Sequence, residues 1–130
     1  MKATGDCYAA AFRWMFDHCT FNPKIDVGEA YLVHAEVEGQ GPLEGVRFGH
    51  AFILVMPEDT EPTPPNIQRF GSVIDRSNGR NIEMPAALYF AIGRIFDHGN
   101  YYLYDCDDTM RLVVDYNHTG PWDLETSSGL

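Results

Sequence analysis

Basic residues are scarce in this 130-residue chain: nine lysines and arginines stand against nineteen aspartates and glutamates, for a formal net charge of −10. Such an acidic surface repels phosphate backbones and anionic lipid headgroups, so nucleic acid and membrane partners are not expected. Long apolar runs are missing as well. No stretch approaches the roughly 20 residues of a membrane span. Lys2 is followed by no apolar h-region, so a cytoplasmic location is expected. Cysteine is sparse: there are three, none in a CxxC pair. If one helix carries both Cys7 and Cys19, they stand ~18 Å apart, which excludes a disulfide between them. Reduced thiols are the expectation.

What is present is core-forming material. Hydrophobic residues make up 45% and aromatics 13% of the chain, the composition of a globular protein and not of a disordered tail. Its length suits one domain over residues 1–130.

The stretch with most chemical content lies at the start, in Gly5-Asp6-Cys7-Tyr8-Ala9-Ala10-Ala11-Phe12. Asp6 is a good N-cap, and Tyr8, Ala11, Phe12 and Met15 recur at helical spacing, so a buried helix over about Cys7 to Cys19 is expected. A thiol in its first turn feels the positive end of the helix dipole, which favours a thiolate. The same position also suits a small, inert core residue. Both readings stay open at this point.

Asn22-Pro23 marks the helix exit. Asp26 to Glu29 reads as a turn. Ala30 to Glu38 reads as a strand with Tyr31, Val33, Ala35 and Val37 on one face and Leu32, His34 and Glu36 on the other. Phe48 to Met56 is a second strand, apolar on both faces except for His50, and is expected at the centre of a sheet beside Ser72 to Asp75. The acidic, proline-rich segment Pro57 to Pro65 reads as an exposed loop, and Ser77-Asn78-Gly79 as a turn. Met84-Pro85 opens a second helix with Leu88, Tyr89, Ile92, Ile95 and Phe96 as its buried stripe. Tyr101 to Tyr104 is a further strand. Asp105 caps a last helix, whose inner face holds Met110, Val113, Val114 and Tyr116. The fold class is α+β: an N-terminal helix carrying the cysteine, packed on an antiparallel sheet.

His50 is the ionisable residue in an otherwise apolar strand, Phe48-Gly49-His50-Ala51-Phe52. If Val73-Ile74-Asp75 pairs antiparallel to it, Asp75 reaches His50 on the same face. Cys7, His50 and Asp75 then supply a nucleophile, a general base and an orienting carboxylate. These residues resemble the papain-like cysteine hydrolase superfamily, which includes transglutaminase-like and NlpC-like peptidases. Gly5-Asp6-Cys7-Tyr8 is similar to its cysteine motif, Gly49-His50-Ala51-Phe52 to its histidine strand, and Val73-Ile74-Asp75 to the strand of the third catalytic residue. An aspartate in third place is closer to the transglutaminase-like branch than to papain, which uses asparagine. The resemblance implies a papain-like core and a cysteine enzyme that needs no cofactor. Small phage and bacterial proteins show a similar overall pattern.

The upstream glutamine of papain-type enzymes has no counterpart ahead of Cys7. The oxyanion would fall to the Cys7 amide with a side chain such as Gln40 or Asn78. Asp105, Asp107 and Asp108 could suggest a hard-metal site, but first-turn acids more simply cap a helix, and no metal is expected. His118 and Trp122, in His118-Thr119-Gly120-Pro121-Trp122-Asp123, either line a substrate cleft or end a helix. The function expected is hydrolysis or acyl transfer on an amide, isopeptide or related acyl bond of a peptide, protein or other substrate. The competing class is a non-catalytic protein-binding module on the same scaffold, a phage or bacterial factor engaging a host protein through its acidic surface.

Overall fold

A computed structural model describes residues 6–21, 29–39 and 41–111 of the chain. Five strands, β1 (Glu29–Glu38), β2 (Arg47–Met56), β3 (Ser72–Asp75), β4 (Ile82–Pro85) and β5 (Tyr101–Tyr104), form one antiparallel sheet in the order β4-β3-β2-β1-β5. The central place of β2 follows from its composition. Ala51, Phe52, Ile53, Leu54 and Met56 are buried on both faces, and only an interior strand can bury both.

Strand alternation divides the core in two. Val33, Ala35, Val37, Phe52, Leu54, Met56 and Val73 face one side, where α2 (Pro64–Phe70), α3 (Ala86–Ile92) and α4 (Ile95–His98) contribute Ile67, Phe90 and Ile95. Leu32, Ala51 and Ile53 face the other, where α1 (Asp6–Phe21) lays down Cys7, Tyr8, Ala11 and Met15. Each large side chain so buried is worth about 1.5–3 kcal/mol in transfer free energy. The helix is one-sided and not buried all round: Ala9 and Arg13 face solvent. Gly49 sets the approach of α1 to β2, because a Cβ there would run into the Tyr8 hydroxyl. The α+β class and the placing of the N-terminal helix on an antiparallel sheet are as expected. The expected turn at Asp26 to Glu29 lies outside the described residues except for Glu29, which opens β1, and Val113, Val114 and Tyr116 also lie outside them.

Four local expectations are corrected. The proline-rich loop ends early, because Pro64 and Pro65 occupy the first turn of α2. Their missing amides are no loss there, and the Thr63 hydroxyl accepts from the Asn66 amide at 3.4 Å. The single helix expected from Met84-Pro85 is two. Met84 and Pro85 close β4, and the chain breaks at Gly93-Arg94, with Arg94 left-handed at φ 56° and its guanidinium 3.0 Å from Glu38. On α3 the buried face is Ala86 and Phe90, four residues apart, so Leu88 (51%) and Ile92 (43%) stand exposed, and Ile95 is buried beyond the break. Met110 is also exposed, on α5 (Cys106–Arg111).

The fourth correction concerns the thiols. Cys19, near the end of α1, and Cys106, opening α5, are joined by a disulfide across a sequence separation of 87. Cys106 is therefore no free thiol. Cys7 and Cys19 do share one helix, so their mutual exclusion stands, and Cys7 keeps its thiol. No helix among the described residues is long and apolar enough to cross a membrane.

Candidate active site

Sheet register brings the carboxylate to the imidazole. Ile53 pairs with Ile74 across β2 and β3, so Asp75 lies one residue further along β3 and is the diagonal neighbour of His50, within reach of side chains of this length. Both extend the sheet face that carries Phe52 and Val73. His50 Nε2 lies 3.1 Å from Asp75 Oδ2. Asp75 is buried, at 2% exposure, and each of its oxygens has a separate task. Oδ1 accepts from the Ser77 amide at 2.9 Å and the Ser77 hydroxyl at 2.7 Å, fixing the turn after β3. Oδ2 accepts from the Tyr89 hydroxyl at 2.5 Å as well as facing His50. Structural cap and histidine partner are thus one residue using two oxygens.

Cys7 belongs to the opposite core but meets His50 at the end of the sheet. There β3 has stopped, the 77–79 turn packs against α1, and Cys7, His50, Asp75, Ser77 and Tyr89 line one cleft of about 520 Å³. Burial alone would lower the pKa of His50. Hydrogen bonds to Asp75 and Cys7, with the charges of both, outweigh it and lift the value from 6.5 to about 9. For Asp75, burial favours the neutral acid, but hydrogen bonds from His50, Tyr89 and Ser77 and the His50 charge win, holding it below the usual carboxylate range. Burial and the nearby Asp75 charge push the Tyr89 phenol well above its usual value, so it is a donor throughout the physiological range. Nε2 is the ring nitrogen engaged by Asp75 and by Tyr89 Oη at 3.0 Å.

The three residues expected to act together are therefore gathered in one cleft. Gln40, His118 and Trp122 lie outside the described residues. Asn78 stands in the 77–79 turn, and its side chain is outside them as well. His18 and His34 are buried, His34 between the rings of Tyr8 and Tyr104 at centroid distances of 5.3 and 4.8 Å. Asp105 caps α5 by accepting from the Asp108 amide at 2.9 Å, and no cluster of His, Cys, Asp or Glu among the described residues could hold a metal ion.

Sequence reasoning missed Tyr89 and Ser77. Tyr89 passed as one more member of an apolar stripe. Its signal was available, since a tyrosine on a buried helical face needs a partner for its hydroxyl. Chemically, a thiol beside a proton-holding imidazole that is anchored by a carboxylate suits nucleophilic attack on an acyl carbon. Neither a family model, nor a curated protein, nor a solved structure matches this chain.

Proposed function

We propose that the chain is a cysteine-nucleophile hydrolase or acyltransferase of papain-like type, acting on an amide, isopeptide or related acyl bond. The supporting observation is the 3.1 Å contact between His50 Nε2 and Asp75 Oδ2 on an imidazole that also interacts with Cys7 in the same cleft. In this reading His50 holds the proton taken from Cys7. The sulfur attacks the carbonyl carbon, and His50 passes the proton to the departing amine as the carbon–nitrogen bond breaks. Water or an amine then attacks the thioester with His50 as base, giving hydrolysis or transfer and restoring the thiol. The Cys7 amide, in the first turn of α1, is a candidate donor to the oxyanion.

Site-resolved alkylation tests this reading. Cys7 is only 5% exposed, yet iodoacetamide should modify it at pH 6 to 7 faster than it modifies the same cysteine in the urea-unfolded chain. A binding module with an inert core thiol gives the reverse order.

Tyr89 is a positioning residue in this reading, since it acts through Asp75 and His50. Tyr89→Phe removes a hydrogen bond to a charged group and should lower stability by about 1–3 kcal/mol in urea unfolding. It should also displace the pH profile of Cys7 labelling. A tyrosine with a purely structural role would change stability and leave that profile in place.

A further inference from the structure

The walls of the cleft point to the kind of acyl group it takes. Val37, Leu43, Phe48, Ile82, Met84 and Ile92 line it beside Cys7. Three of them are large apolar side chains left in water: Leu43 at 52%, Phe48 at 38% and Ile92 at 43% exposure. They come from three separate segments, the β1–β2 connection, the start of β2 and the end of α3, so the surface is assembled by the fold. Val37 and Phe48 are cross-strand partners on β1 and β2. Exposed apolar surface that converges on one concavity marks a binding site more often than scattered surface residues do.

The polar side chains in the same cleft are largely committed elsewhere. Ser77 and Tyr89 donate to Asp75, and Glu38 is paired with Arg94 at 3.0 Å. Arg80 is the cation of the lining and has no carboxylate partner among the described residues, so a positively charged group would be unwelcome there. The apolar wall is the part of the lining at which desolvation supplies recognition.

We infer that the substrate presents an uncharged hydrocarbon group, a side chain or short acyl chain on the acyl side of the bond attacked, to the wall formed by Leu43, Phe48 and Ile92. The inference rests on the proposed role of Cys7 for its catalytic meaning, but the test separates the two. Rates of Cys7 alkylation by iodoacetamide and by N-hexyl iodoacetamide are measured on the full chain, each divided by the rate of the same reagent with glutathione. The N-hexyl reagent should be favoured by about tenfold or more, the equivalent of burying roughly two methylenes. Phe48→Asp, and separately Ile92→Asp, should bring that ratio toward one. Leu88→Asp, at an exposed apolar position outside the cleft, should leave it unchanged, with thermal melts confirming that all three variants fold.

A reactive Cys7 with a ratio near one overturns the inference and leaves the proposed function standing. An unenhanced Cys7 that still prefers the N-hexyl reagent supports the apolar site and removes the catalytic reading. No reaction with either reagent overturns both. If a second copy of the chain covers this wall instead, the protein sediments as a dimer that Phe48→Asp splits, with a ratio near one throughout, and the inference fails.

Discussion

Asp75→Asn is expected to slow alkylation of Cys7 near neutral pH by about ten- to a hundredfold while the protein remains folded. The amide keeps the shape and can still accept from Ser77 through one oxygen. It turns an NH₂ toward His50 Nε2, however, where the native carboxylate faces it at 3.1 Å. The charge that helps keep His50 protonated is lost, and the preferred tautomer reverses. In a serine triad the corresponding swap costs about 10⁴ in rate. A smaller loss is expected here, because a thiol needs less help than a hydroxyl. Labelling and thermal melting should be measured on the same preparations. Unchanged labelling with a lowered melting temperature would reduce Asp75 to the cap of the 77–79 turn, a role its Oδ1 already fills.

Breaking the Cys19–Cys106 bond should have the largest effect on stability. The bridge closes a loop with a sequence separation of 87 and ties the end of α1 to the six-residue α5. A helix that short has little stability of its own. Loop-closure entropy for so long a loop comes to about 4–5 kcal/mol, and disulfides typically deliver about 2–4 kcal/mol of such a value. For a domain of this size that is a fall in melting temperature on the order of 10 °C. The double variant Cys19→Ser/Cys106→Ser should melt at the temperature of the reduced native protein and respond no further to reductant. Cys7, at the far end of α1, serves as the internal control, since it should be the cysteine alkylated without reductant in the folded chain. Three alkylated cysteines under those conditions, or a melt indifferent to reductant, would remove the staple.

The parts of this architecture that were legible in the sequence are those with a local period. The alternation in β1, the apolar run of β2 and the short β3 after Gly71 could be read directly, and with them the shared face of His50 and Asp75. The first helix could be read from its spacing, one residue short at its start and two at its end. Features set by tertiary context could not. Thr63-Pro64-Pro65 carries an ordinary helix-start signal, but the surrounding prolines and acids made the whole segment look like loop. The break at Gly93-Arg94 depends on a left-handed arginine held by Glu38 on another strand. The disulfide joins residues whose separation of 87 leaves no mark on any local pattern. That Cys7 and His50 belong to opposite cores and meet only where β3 ends is likewise a property of the assembled sheet.

The central claim is that Cys7, His50 and Asp75 work as one proton-sharing unit, and the titration of the His50 ring, followed by NMR, tests it most directly. An isolated histidine loses its proton near 6.5; His50, held by Asp75 and Cys7, should remain protonated through neutral pH and titrate at about 9. In Asp75→Asn, and again in Cys7→Ser, the transition should move down toward the ordinary value. A His50 that titrates near 6.5 in the native protein, and does so unchanged in both variants, would contradict the account.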